Sequence, residues 1–292
     1  MHAVVRLVRQ FPVLAFVLAA YAISWSVWIP IVILGISFNT QTGWLLYLIG
    51  SFGPSLAGLL LMGMLHGAAG PWKLLSGLWR RPMHGIWLAA AIVLPFLIMG
   101  AALATQAVLG GARPESSNPL ALAMVLVGAF LRITITGGPL GEELGWRGFA
   151  LPRLQTHQSA LRASLLLGLV WGVWHAPLYF VPGTGQYGMA QEGQLLFSFA
   201  SFLVWTLALS ILLTWLYNNT AGNLLVVLLF HAGVNTAANL PSLLNAAGVA
   251  VMLNGGFTWL AALVVILIAG GKSLYRSAQP AGSGGDLTAS GL

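Results

Sequence analysis

Residues Ile86 to Leu103 read IWLAAAIVLPFLIMGAAL, an apolar run with no charge and no alternation of polar with apolar side chains. Its length is close to the ~20 residues that an α-helix needs to cross a bilayer. A membrane β-strand would be about half as long and would alternate lipid-facing with lumen-facing residues, so a barrel is discarded. Similar runs recur along nearly the whole chain, and they must be helices because lipid cannot satisfy an exposed backbone. Composition agrees: 58% of the 292 residues are hydrophobic and 6% are charged, against about a quarter charged in a soluble domain. The expected fold is all-α, a polytopic membrane helix bundle.

Eight spans are expected, at 11 to 36, 44 to 65, 85 to 109, 119 to 153, 162 to 181, 195 to 217, 221 to 243 and 248 to 270. The fourth is too long for one simple crossing, and Gly137-Gly138-Pro139 inside it predicts a kink or a preceding interfacial piece. Between spans two and three, GPWKLLSGLWRRPMH (Gly70 to His84) has the look of an amphipathic interfacial segment, with Trp72 and Trp79 at headgroup level. Residues 1–275 are expected to form one transmembrane domain, and 276–292, rich in Gly, Ser and Ala, a disordered cytoplasmic tail. The first run follows Arg6 and Arg9 and contains Ala20-Tyr21-Ala22, as a cleaved signal peptide would. Its apolar character continues well past that point, which favours an uncleaved first span.

The net charge of +7 is not a nucleic-acid footprint, since the basic residues are scattered through loops without an interleaved aromatic patch. Membrane orientation explains them better. With the N-terminus in the cytoplasm, Arg6, Arg9, Lys73, Arg80, Arg81, Arg153, Arg162, Lys272 and Arg276 all fall on the cytoplasmic side, and Arg113 falls outside. That bias follows the positive-inside rule and predicts both termini in the cytoplasm. The chain has no cysteine, so it offers neither a disulfide framework nor a Cys nucleophile or Cys-based zinc site.

Of the five acidic residues, Glu142 and Glu143 are adjacent, in GGPLGEELGWRGFALPRLQ (Gly137 to Gln155). Charge at membrane depth is expensive and usually functional. Glu143 and Arg147 stand four apart, so on a helix they share a face and can pair. Glu142 then points about a quarter-turn away. His175 lies within span five between Trp174 and Pro177, and His231, Asn235 and Asn239 line one stripe of span seven. Taken singly, either histidine or the stripe also reads as helix-packing glue. Depth joins them. If span four leaves the membrane near Arg153, Glu142 sits about 16 Å deep at ~1.5 Å per residue, with His231 at about 15 Å and His175 at about 20 Å. Had span four ended at Gly138, the meeting would fail.

These residues resemble the three motifs of the CAAX protease and bacteriocin-processing (Abi) family of intramembrane proteases. Glu142-Glu143-Leu144-Gly145-Trp146-Arg147 is similar to its Glu-Glu-x-x-x-Arg motif, Trp171 to His175 to Phe-x-x-x-His, and His231 to Asn235 to His-x-x-x-Asn. The motifs stand in the family's order on separate spans within residues 137–240, and Trp171 replaces the family's Phe. The resemblance implies an endopeptidase in which Glu142 activates water with help from His175, while His231 and Asn235 bind the oxyanion. Glu143 and Arg147 would hold the helix and its register. It implies protein or peptide substrates in a lipid bilayer: prenylated CAAX proteins, peptide pheromones, bacteriocin leaders or transmembrane regulators.

Peptide hydrolysis needs an activated water, an oxyanion donor and a proton for the leaving amine, and these residue types supply all three. No Ser or Cys in the motifs points to a covalent intermediate. No cofactor is firmly indicated. Zinc stays open, because Glu142, His175 and His231 would make three ligands with a fourth position for water. They come from three helices, unlike the His-Glu-x-x-His helix, and the metal-free glutamate mechanism is preferred. The rival classes are a proton- or ion-coupled transporter, which would show paired halves with matching broken helices, and a scaffold that has lost catalysis. The sequence has no defensible repeat and lacks none of the motif residues.

Overall fold

The computed structural model describes residues 2–79, 84–116, 118–136, 138–191, 194–246 and 248–275, and among these every regular element is a helix. They run α1 (His2–Gln10), α2 (Pro12–Ile33), α3 (Gln41–Ser51), α4 (Gly53–His66), α5 (Ala69–Leu75), α6 (Gly85–Val108), α7 (Pro119–Thr136) and α8 (Gly138–Gly145). After a π-helical turn at Trp146–Ala150 come α9 (Leu151–Gln155), α10 (Ala160–Trp174), α11 (Gly185–Gln191), α12 (Leu195–Asn219), α13 (Leu224–Ala237), α14 (Leu240–Leu243) and α15 (Ala250–Ala269). Side-chain caps start several of them where sequence favours it. Thr40 accepts from Gly43 N, Ser159 from Arg162 N, and Asn223 from both Leu225 N and Val226 N.

Seven segments are long and apolar enough to cross a bilayer: α2, α3 with α4, α6, α7, α10 extended to Phe180, α12 and α15. The protein is an all-α polytopic bundle, as the sequence predicts. The expected seventh span is the exception, because α13 has 14 residues and is only about 21 Å long at 1.5 Å per residue. It still runs from end to end of the bundle once its flanks are added. Leu224 lies against Gly77 and Gly148 at one end, and the Leu244 carbonyl accepts Glu115 N at the other.

The expected fourth span is also divided. The α7 helix stops at Thr136, buries none of its residues and lies on the outside of the bundle, while α8 starts at Gly138 and is buried throughout except at Leu140. Gly137 lies outside the described residues, as do Arg80 to Met83 and the tail from 276 onward. The Gly70 to His84 segment begins as α5 and a short 3-10 turn, with the Trp72 and Trp79 rings 5.4 Å apart and both about half exposed.

Helix α2 runs antiparallel to α3 and α4. The Trp28 indole donates to the Tyr47 carbonyl, while Ala20 and Ser24 lie against Gly53. One end of the bundle therefore gathers the start of α2, the end of α4, where Met62 meets Arg153, and the start of α10, where Ala160 and Leu161 bond to the carbonyls of Lys272 and Gly271. Arg153, Arg162 and Lys272 cluster there. Arg113 lies at the opposite end, in the loop that Gln106 ties to Ala246. The core is aromatic: Phe16, Trp28, Trp146, Phe149 and Trp174 are fully buried, with Phe16 edge-on to Trp146 at 5.1 Å and stacked on Phe149 at 5.4 Å.

Candidate active site

The two glutamates sit on α8, and α8 is held by close backbone contact with α4. Gly141 and Gly145 are one turn apart on the face toward α4; a Cβ on Gly145 would overlap the Pro54 carbonyl, and one on Gly141 would lie 2.6 Å from the Ser51 carbonyl oxygen. Small residues at this spacing let two membrane helices approach where any side chain would separate them. The Ser55 hydroxyl adds a 2.8 Å hydrogen bond to the Leu140 carbonyl. Immediately after the glutamates the helix widens into the π turn that carries Arg147. Such turns are rare and frequent at functional sites.

Glu143 is committed to pairing. Its Oε1 accepts Arg147 Nη1 at 3.0 Å and His231 Nδ1 at 2.7 Å. The Arg147 contact is the i, i+4 pair expected from sequence, while the bond to His231 was not expected. The guanidinium also lies over the Trp171 ring, 4.7 Å from its centroid, where the π face attracts the cation. Among the described residues, Arg147 Nε and Nη2 and Glu143 Oε2 have no protein hydrogen-bond partner. Because His231 Nδ1 meets a carboxylate, it carries a proton, and Nε2 is the nitrogen left to face a ligand.

Glu142 does something else. Its Oε2 accepts the Trp171 indole N–H at 2.6 Å, and its Oε1 occupies space that a Cβ on Gly138 would invade. His175 follows the last residue of α10, and its Nδ1 lies 2.8 Å from the Trp171 carbonyl. A carbonyl only accepts, so Nδ1 carries the proton and the neutral ring keeps its Nε2 lone pair for the site. The Trp171 ring is 5.7 Å from the His175 ring and 5.4 Å from the His231 ring. All three motifs thus meet around one tryptophan.

All five of these groups are buried. Glu143 and Arg147 are sealed at 0% exposure, whereas Glu142, His175 and His231 keep 4%, 8% and 4%. Asn235, one turn beyond His231, is half-buried, and Asn239 lies beyond the end of α13, exposed, and donates to the Asn235 carbonyl at 2.8 Å. Neighbours on α2 give the level: Tyr21 bonds to the Val170 carbonyl and Trp25 to the Trp174 carbonyl. At 1.5 Å per residue those positions are about 14 and 20 Å along α2 from its start.

Among the described residues no three His, Asp or Glu side chains gather as metal ligands, so Glu142, His175 and His231 do not form the triad that sequence left open. The indole and the Glu143 carboxylate instead engage Glu142 and His231.

A described bundle of apolar helices with buried carboxylates and histidines defines the class, a polytopic membrane protein with an internal polar site. Residues 119–237 match the family described as Type II CAAX prenyl endopeptidase Rce1-like. Over 94 residues the chain is 34% identical to the CAAX prenyl protease 2 of Methanococcus maripaludis, an alignment covering 32% of this chain and 34% of that protein. The chain thus spans about a third of the length of the curated relative it matches. The resemblance to the CAAX protease family is borne out over the segment that carries α7 to α13.

Trp171 as a hydrogen-bond donor and Gly138 as the space for Glu142 were not legible beforehand. The signal for the first was present: Trp171 is four residues before His175, hence on the same helix face.

Proposed function

We propose that this protein is an intramembrane endopeptidase that hydrolyses peptide bonds of membrane-associated substrates, with Glu142 as the general base. One observation carries the proposal: two adjacent buried glutamates have different partners, Glu143 paired with Arg147 and His231, Glu142 held by the neutral indole of Trp171, whose ring also packs against His175 and His231.

In this mechanism Glu142 takes a proton from water as the oxygen attacks the scissile carbonyl. His175, oriented through Nδ1, accepts a hydrogen bond from the same water at Nε2 and helps aim it. The negative oxygen that develops is stabilised by His231 Nε2–H and the Asn235 amide. A His231 that donates from both nitrogens is an imidazolium, and Glu143 supplies its counter-charge within 2.7 Å. Protonated Glu142 then returns the proton to the leaving amine. Arg147 keeps Glu143 in place and completes the charge balance.

The relative's name points to prenylated CAAX termini as the first substrates to try, and the apolar surroundings of the site suit a lipid-bearing peptide. Both termini are assigned to the cytoplasm, with the end bearing Arg153, Arg162 and Lys272 on that side. The protein reconstituted in vesicles is to be incubated with a farnesylated peptide ending in a CAAX sequence and, separately, with its unprenylated form. Mass spectrometry should find the product of cleavage next to the prenylated cysteine. Two intact peptides under conditions where the protein is folded would remove this substrate assignment.

A further inference from the structure

Trp171 stands four residues before His175 on α10, and its side chain reaches Glu142. A phenylalanine at 171 would fill much of the same volume but bring no donor. The indole of Trp171 is 3% exposed and places its N–H 2.6 Å from Glu142 Oε2. It is the one hydrogen-bond donor to Glu142 among the described residues. The same residue's carbonyl fixes the His175 ring through Nδ1, and its ring packs against His231 and beneath Arg147. Gly138 leaves room for the other carboxylate oxygen, Oε1.

We propose that Trp171 is a positioning residue whose indole N–H holds one oxygen of Glu142, leaving the other free to take the proton from water. The inference rests on Glu142 being the base. A glutamate has three rotatable side-chain bonds, and a general base must lie within hydrogen-bond reach of the proton it removes. One strong bond to Oε2 removes most of that freedom, and a hydrogen bond to a charged group is worth more than a neutral one. Trp171 would thus align Glu142 through its side chain and His175 through its backbone, which a phenylalanine could do only for the histidine.

The test replaces Trp171 with 3-benzothienylalanine by nonsense suppression, which keeps the bicyclic shape and substitutes sulfur for the N–H. Trp171→Phe is made in parallel. With a fluorogenic peptide and vesicle-reconstituted enzyme, both variants should lose about ten- to hundredfold in kcat, the range for one bond to a charged group. For the benzothienyl variant KM and melting temperature should stay near parental values, while Trp171→Phe also loses packing and melts lower. If the benzothienyl variant cleaves like the parent, or loses kcat only together with its melting temperature, Trp171 is packing and the inference fails. Glu142→Gln is measured alongside. An inactive Glu142→Gln beside a fully active benzothienyl variant sinks this inference alone, whereas an active Glu142→Gln sinks the assignment of the base.

Discussion

Replacing Glu143 with Gln tests how the buried charges are balanced. The carboxylate carries two charge-assisted contacts on one oxygen, Arg147 Nη1 at 3.0 Å and His231 Nδ1 at 2.7 Å, and both Glu143 and Arg147 are fully buried. Glutamine keeps an acceptor oxygen of similar reach, so the hydrogen-bond geometry survives while the charge disappears. What is lost is the counter-charge of a sealed guanidinium, and removing one partner of a buried pair costs about 3–5 kcal/mol. The retained acceptor and the Trp171 ring under the guanidinium offset part of this, so the lower end, about 3 kcal/mol, is expected. For a chain of this size that corresponds to a fall of about 6–12 °C in melting temperature. The assay is thermal unfolding in detergent followed by tryptophan fluorescence, run on Glu143→Gln, Arg147→Met and the double variant. The double variant should be more stable than the sum of the singles predicts, because neither Glu143 nor Arg147 is then left facing the site of its missing partner. An unchanged melting temperature for Glu143→Gln, or strict additivity, would refute the reasoning.

Other outcomes follow from the same geometry. His231→Ala and Asn235→Ala should each lower kcat by about a hundredfold or more with smaller changes in KM, the pattern for lost oxyanion donors; a pure KM effect in steady-state kinetics would count against that role. Gly145→Ala should destabilise the bundle by about 1–3 kcal/mol, since the new methyl meets the Pro54 carbonyl. Gly100→Ala, with nothing within 4 Å, should not, and the pair is compared by thermal melting. Enzyme stripped by a strong chelator and verified metal-free by elemental analysis should keep its activity, whereas loss restored by stoichiometric zinc would move Glu142, His175 and His231 into ligand roles.

Fold class was legible because lipid restricts the backbone to helix, so that runs such as Ile86 to Leu103 admit one reading. The candidate site was legible for a related reason: with five acidic residues in 292, an adjacent pair inside an apolar span has few roles available. Span boundaries were harder. The α13 helix is 14 residues long because Asn223 caps its start and the chain turns after Ala237, whereas the apolar run reads on past both points. The division between α7 and α8 was visible in the glycines, but not that α7 would be wholly peripheral while α8 is buried. Partners inside the site were the least legible. The i, i+4 spacing gives Glu143 and Arg147 directly, whereas the bond from His231 to Glu143 joins residues 88 apart. It depends on how α13 packs against α8, and no local pattern encodes that.

The central claim is that the two neighbouring glutamates divide the work, Glu142 for chemistry and Glu143 for structure. Cleavage of a quenched fluorogenic prenylated peptide by vesicle-reconstituted Glu142→Gln, with its melting temperature measured on the same preparation, tests this most directly. Activity should fall by about a hundredfold or more, the range for lost acid–base catalysis, while stability stays at the parental value. A Glu142→Gln variant that cleaves like the parent, beside a Glu143→Gln variant that is stable but inactive, would contradict the account and reverse the two roles.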